Sequence, residues 1–438
     1  MSSARLLEAV PRSAAELEGY LLSQRTPALA ALGLPEELVL PCYGLSIANL
    51  PATLAAALGG GPTATAPPLP ERLWTDLATD VRRVVWITLN AAGWPILGQM
   101  VAEPDLLYGR LAREGRLFPI TSIFPTSTSS ALITLWTGQP PAQHGLVGHM
   151  MYLRELGLVA DMLLLSRAGE RQRDELLRLG LCLEEILPVP GLAEILAGQG
   201  IVTRALMNLE LARTSFSRLS FRGAAQVSRF VTVTDMCVGL RELLAAHRDE
   251  RLLLAAYLAE IDIIGHLHGA GSESIRAELR ALSWLLQREF LDLLSPEERK
   301  GTLFVLSADH GQLTTAARSV YLPDHPDLWD YLLVPPTGSL RAAYLYVRQG
   351  QLGEVWRYLR EELSEQFAVV DSGEALRAGL LGPGQPTPTA ASRLGDLIVI
   401  GRQNYLLEHR KTQRQRLGMH AGLSADEMLV PVLMARLD

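Results

Sequence analysis

From Val81 onward the chain alternates two hydrophobic patterns. Short β-rich runs are apolar at most positions: VRRVVWITL (81–89), IVTRALM (201–207), RLLLAAYLA (251–259), TLFVLSA (302–308) and DLIVIG (396–401). Between them lie longer Leu/Ala/Arg/Glu segments with apolar residues at helical spacing, predicting helices at Leu192–Ala197, Asp235–His247, Ile275–Leu294 and Leu352–Gln366. Continuous apolar runs suit strands covered on both faces, so the alternation predicts an α/β fold, a mostly parallel central sheet flanked by helices. Ligands in such sheets sit beyond the carboxyl ends of the strands. Polar residues gather there: Asn90 after the first run, Asp262 and His266 after the third, Asp309 and His310 after the fourth.

The same patterning sets the expected organisation. Val84–Ala102 carries no charge over about the length of a membrane span, yet Asn90, Gly93, Pro95 and Gln99 interrupt it. A buried strand, a turn and a helix account for it better, so no membrane association is expected. Residues 1–58 show helical spacing in places, and Gly59–Glu71 reads as a linker. The chain therefore divides into a preface with linker (1–75) and a main domain (76–438). A small α/β insertion at about 313–393 contains a strand-like run at 341–347.

Composition narrows the function classes. The 438 residues are 48% hydrophobic and 20% charged, which is usual for a folded globular chain. A net charge of −7 supplies no basic field for a nucleic-acid backbone, so duplex nucleic acid is not an expected partner. Cys42, Cys182 and Cys237 are widely spaced and form no CxxC pair, which argues for buried core residues rather than disulfides or a thiolate metal site. The N-terminal stretch carries Arg and Glu throughout, with no uninterrupted apolar run, and cytoplasmic residence is the expectation.

Four segments carry candidate chemistry. In SADHGQ (Ser307–Gln312), Asp309 and His310 leave a buried strand together and offer a hard and a borderline ligand to a divalent metal; an Asx-type turn is the plainer alternative. In YLAEIDIIGHLHGAG (Tyr257–Gly271), Asp262 and His266 are four apart, so a helical turn puts them on one face; a capping Asp beside a surface His is the alternative. His268 faces elsewhere. GMHAGLSADEMLVPVL (Gly418–Leu433) places His420 in a Gly-flanked loop before a helical turn and a strand. With Asp262 and His266 it completes a His₂-carboxylate set, which zinc accepts with a position left open. In TSIFPTSTSSALITLWTGQPPAQHGLVGHMMYL (Thr121–Leu153), Pro125 ends an extended segment and Thr128 falls near a helix N-terminus, which favours phosphate. Ser/Thr clusters also serve simply as helix caps.

The order FPTST…TG…P…HG, then DxxxH, DHG and a C-terminal GxHxGLS resembles the nucleotide pyrophosphatase/phosphodiesterase (type I phosphodiesterase) group of the alkaline phosphatase superfamily, over roughly residues 81–438. The resemblance implies metal-dependent hydrolysis of a small phosphodiester or nucleotide-like substrate, through a phosphothreonine on Thr128, nine residues before Thr137. It implies two divalent ions, Zn²⁺ or else Mn²⁺. Asp309, His310, Asn90 and Thr128 match the ligands on the nucleophile side, and Asp262, His266 and His420 those of the companion ion. Two cations about 4 Å apart would clamp the attacking and leaving oxygens of an in-line displacement.

The chain departs from the family pattern twice. Asn90-Ala91 stands where the family has Asp-Gly, which removes one negative charge from the nucleophile-side ligands. His149 stands where the family places an Asn that contacts the phosphate, and is the expected substrate contact. These changes leave open a catalytically weakened homologue that binds a nucleotide, phosphate ligand or partner. Leu117–Leu153 contains no Arg or Lys to neutralise a monoester dianion, which favours diesters or pyrophosphates. The Cys/Ser-x-Pro-x-Arg signature of sulfatases is absent around Thr128.

Overall fold

The computed structural model describes residues 13–63, 66–315, 318–410 and 416–438. The first twelve residues, part of the charged N-terminal stretch on which the expectation of cytoplasmic residence rests, lie outside the described residues, as do Ala64 and Thr65 of the linker.

The central sheet has seven strands: β1 (Arg83–Leu89), β2 (Arg116–Thr121), β3 (Val202–Asn208), β4 (Gln226–Phe230), β5 (Leu252–Leu258), β6 (Thr302–Ala308) and β7 (Leu429–Arg436). Their spatial order is β2-β7-β6-β1-β5-β3-β4. Only β7 runs against its neighbours, β2 and β6; the other pairings are parallel. Every residue of β1, β5 and β6 is buried, as the uninterrupted apolar runs require of strands covered on both faces. The uncharged stretch Val84–Ala102 resolves into β1, a turn and a helix at Trp94–Val101. Among the described residues no helix is long and apolar enough to cross a membrane.

Register decides where the functional residues fall. Leu89 lies opposite both Leu258 and Ala308, so the residues following β1, β5 and β6 emerge along one rim. Helix α1 (Thr128–Thr137), wholly buried, is anchored to this sheet by aromatic packing. Trp86 of β1 lies 5.2 Å from Trp136 of α1, which lies 4.2 Å from Phe221, while the Trp86 indole donates to Ser307 Oγ at 2.8 Å. Such buried aromatic side chains contribute about 3–5 kcal/mol each against truncation to Ala. The helix is thereby fixed relative to the strands that carry Asn90 and Asp309.

A second seven-stranded sheet joins Met150–Leu153, Leu158–Asp161 and Ser166–Arg167 to Thr337–Gly338, Ala342–Leu345, Phe367–Asp371 and Leu397–Gly401. The run 396–401, expected beside the other apolar strands, belongs here, antiparallel to Ala342–Leu345 and Phe367–Asp371. It is fully buried in its own sheet, and apolarity alone cannot say which sheet a strand joins. β4 has no apolar signature because its residues are largely exposed at the edge.

Residues 13–58 form the helices Ala14–Ser23 and Leu50–Ala57, whose Leu17, Leu21, Leu50 and Leu54 share one buried cluster with β1. Val39 N–H donates to the Leu423 carbonyl at 2.7 Å, and Cys42 N–H to Thr121 Oγ1 at 3.0 Å. All three cysteines are free. Cys237 is buried, but Cys42 is half-buried and Cys182 exposed, so the expectation of core cysteines holds for one.

Candidate metal and nucleophile centre

Helix α2 (Glu260–His268) follows β5 and carries Asp262 and His266 one turn apart. Asp262 does not cap it: the N-cap residue, Ala259, makes no side-chain cap bond, and the Asp262 carboxylate points to imidazoles instead. His266 Nε2 lies 3.3 Å from Asp262 Oδ2, and His420 Nε2 lies 3.6 Å from Asp262 Oδ1. After β6, His310 Nε2 sits 3.0 Å from Thr128 Oγ1 and 3.6 Å from Asp309 Oδ2. Asp262, His310 and His420 each offer a ligand atom, and these atoms all lie within 4.8 Å of one another. His310, expected beside Asp309, thus also borders the His420 side, so the two expected ligand sets are contiguous.

The three rings are oriented by the same device. Nδ1 of His266 meets the Gly418 carbonyl at 2.6 Å, that of His310 the Gly311 carbonyl at 2.9 Å, and that of His420 the Thr126 carbonyl at 2.8 Å. A carbonyl only accepts, so Nδ1–H is the donor in each ring and Nε2 is the nitrogen turned to the centre. This is the outer-shell arrangement usual behind metal-ligating histidines. Burial, then the neighbouring His310, push His420 well below the ordinary histidine range, which keeps it neutral.

The carboxylates are separated by environment. Burial pushes Asp262 up, but the His266 hydrogen bond outweighs it and holds the carboxyl well below the usual range. Burial dominates at Asp309 and raises it. Asp309 Oδ1 accepts from the amides of Ala91 (3.0 Å) and His310 (2.9 Å). Its Oδ2 and the Oδ1 of Asn90 are buried with no hydrogen-bond partner among the described residues. Two orphaned oxygens beside the Nε2 of His310 form a donor set that suits a divalent cation. Ala91 adopts the left-handed conformation at φ +63°, a region that favours Gly; such a side chain costs about 1–2 kcal/mol.

The Ser/Thr cluster does more than cap. Ser127, the N-cap of α1, makes no side-chain cap bond. Its hydroxyl lies 3.1 Å from Ser129 Oγ, which donates to the Gly148 carbonyl at 3.0 Å. The first amides of α1 are therefore free of side-chain caps, as a phosphate-binding helix N-terminus requires. Thr126 Oγ1 accepts from Ala421 N–H (2.9 Å) and donates to the Gly422 carbonyl (2.9 Å), tying the His420 loop to the Thr128 loop.

His149 stands apart from the cluster. Its side chain is 36% exposed, with Nε2 3.4 Å from Asp161 Oδ2, and its neighbour Gly148 accepts at its carbonyl from Ser129 Oγ of the Thr128 helix. Gln312 is a contact the motifs did not single out: its Nε2 lies 3.1 Å from Asp262 Oδ1, three residues past Asp309 in the same run. Among the described residues, no Arg or Lys hydrogen-bonds or ion-pairs with Thr128, Asp262, His266, Asp309, His310 or His420. Arg393, buried below the Pro141–His144 turn, instead donates to the Gly145 carbonyl at 2.8 Å.

The family model described as type I phosphodiesterase/nucleotide pyrophosphatase matches residues 84–163 and 209–423. Murine ectonucleotide pyrophosphatase/phosphodiesterase 5 has a similar fold, with a TM-score of 0.62 and 16% identity over 80% of this chain and 87% of its own. An inactive threonine-to-alanine form of that murine protein, solved with AMP, gives 0.59 and 15% over 81% and 88%. Phosphonoacetate hydrolase from Sinorhizobium meliloti 1021, in complex with phosphonoformate, gives 0.60 and 17% over 81% and 90%. At such identities these structures show the fold alone. No curated protein sequence matches the chain significantly.

Proposed function

The chain belongs to the type I phosphodiesterase/nucleotide pyrophosphatase family, a family of phosphodiester and pyrophosphate hydrolases, and on that premise we propose that Thr128 is its nucleophile and that two divalent cations complete the site. The 3.0 Å contact between Thr128 Oγ1 and His310 Nε2 at the uncapped start of α1 carries the reading. Asp262, His266 and His420 would hold one cation, and Asp309, His310 and Asn90 the other, Zn²⁺ or Mn²⁺ by the mix of imidazole and oxygen donors. Bound there, the cations supply Lewis acidity to the attacking and leaving oxygens.

The chain's own groups do the rest. The free amides at the start of α1 bind non-bridging phosphoryl oxygens, and the buried helix holds Oγ1 in one position. Attack by Oγ1 forms the O–P bond of a phosphothreonine as the P–O bond to the leaving alcohol or phosphate breaks, and the hydroxyl proton ends on the leaving oxygen. Water then hydrolyses the phosphothreonine, returning the threonine hydroxyl and releasing the phosphate monoester. With no Arg or Lys among the described residues bonded to these side chains, a diester or pyrophosphate fits better than a monoester dianion. The AMP bound by the murine relative and the phosphonoformate bound by the bacterial one support a small phosphoryl substrate. The inactive threonine-to-alanine form of that murine relative supports a threonine nucleophile.

The test is hydrolysis of bis(p-nitrophenyl) phosphate against p-nitrophenyl phosphate, in excess Zn²⁺ or Mn²⁺. Thr128→Ala is expected to lower turnover by about 10⁴-fold or more, as loss of a nucleophile does, without changing the fold. Undiminished turnover in that variant refutes the assignment. No turnover by the parent in any metal, with nucleotide binding preserved, makes the chain a binding homologue.

A further inference from the structure

Glu427, in the short helix α3 (Ala425–Met428), has no role in the chemistry described above, yet it is fully buried. So is Arg341, which precedes Ala342–Leu345 of the second sheet. Their side chains form a two-pronged ion pair, Nε to Oε1 at 3.1 Å and Nη2 to Oε2 at 2.8 Å. A buried pair of this kind is no more stabilising than apolar packing of the same volume, so its presence asks for another reason.

The remaining contacts supply one. Glu427 Oε1 also accepts from Gly422 N–H at 2.7 Å and Oε2 from Ser424 N–H at 3.1 Å, so the carboxylate grips the loop just beyond His420. The main-chain carbonyl of Glu427 accepts from Gly311 N–H at 2.8 Å, one residue beyond His310. A single residue thus fastens both histidine loops, whose rings stack with centroids 4.1 Å apart and planes 16° from parallel. The close approach is built in: a Cβ at Gly311 would meet the Asp426 carbonyl oxygen at 1.9 Å. Arg341 Nη1 donates to the Tyr405 carbonyl at 2.9 Å, which ties the clamp to the segment following Leu397–Gly401 of the second sheet.

We propose that Glu427, clamped by Arg341, is a positioning residue that sets His310 and His420 at the spacing the cations need, so that the second sheet is mechanically part of the metal centre. The proposal rests on the reading of those imidazoles as cation ligands. Its test uses the full chain stripped of metal, with Zn²⁺ affinity measured by competition against a chromophoric chelator and coordination geometry by the visible spectrum of the Co²⁺ form. Arg341→Met/Glu427→Leu removes both buried charges together, which avoids stranding either one but leaves the amides of Gly422 and Ser424 without their acceptor. It is expected to stay folded in EDTA, unfolding a few degrees below the parent, to bind Zn²⁺ about tenfold or more weakly, and to give an altered Co²⁺ spectrum. Parent-like affinity and spectrum in this variant overturn the proposal, because Glu427 then only balances Arg341. Should the double variant not fold, Glu427→Gln decides: it keeps the volume and one acceptor, and parent-like Zn²⁺ affinity there overturns the proposal equally. A parent chain that binds no divalent cation sinks the functional reading, and this proposal with it.

Discussion

Asn90→Asp restores a carboxylate where the structure leaves a buried amide oxygen without a partner. The new charge lies beside Asp309, which meets the adjacent Ala91 amide at 3.0 Å and whose own Oδ2 is equally orphaned. Two carboxylates about 5 Å apart at an effective dielectric near 20 repel by about 3 kcal/mol. Without metal this strain is uncompensated, and burial already raises Asp309. A carboxyl raised in the folded state contributes stability at low pH that is lost as pH rises through its folded pKa. The metal-free variant should therefore unfold about 3 °C below the parent at alkaline pH, with the gap closing in acid. A cation relieves the same repulsion, so the nucleophile-side affinity should tighten by about 100-fold, the equivalent of about 3 kcal/mol. Differential scanning calorimetry in EDTA and chelator competition with Zn²⁺ measure the two halves. A variant that is more stable than the parent without metal, yet binds Zn²⁺ no tighter, refutes the assignment of Asn90 as a ligand.

Three further outcomes are expected. His144 is buried and held neutral: Nε2 meets Thr134 Oγ1 at 3.0 Å, while Nδ1 accepts the Leu146 amide at 3.0 Å and so has no room for a proton. Burial pulls it down to about 3, so stability present above the unfolded histidine pKa falls as pH drops, by about 1.4 kcal/mol per unit between about 6.5 and 3; His144→Gln should flatten that slope in acid-unfolding curves. His149→Ala should raise KM for bis(p-nitrophenyl) phosphate about tenfold, the worth of one charge-assisted hydrogen bond, with Zn²⁺ affinity unchanged; a parallel loss of Zn²⁺ affinity would move His149 to the metal centre. EDTA should abolish turnover, and added Zn²⁺ or Mn²⁺ should restore it; turnover that persists in EDTA with no bound metal by elemental analysis would exclude the two-cation reading.

The sequence by itself determined the sheet-forming strands β1, β5 and β6, because strands covered on both faces must be apolar throughout, and it put Asn90, Asp262, Asp309 and His310 at their carboxyl ends. It also set Asp262 and His266 on one helical face, since that follows from helical pitch alone. Tertiary structure decided the rest. Apolarity could not assign 397–401 to a second sheet, because burial looks the same in either. His420 is carried to Asp262 by Thr126, whose carbonyl holds the ring across 294 residues, and no local pattern encodes so distant a bond. The open amides of α1 depend on where the Ser127 and Ser129 hydroxyls turn, toward each other and Gly148 rather than onto the helix. Glu427 and Arg341 read singly as surface charges, and only folding removes both from water, face to face, where each needs the other. Residue spacing fixes what shares an element, whereas burial and long-range hydrogen bonds, which depend on every element packing at once, fix what shares a site.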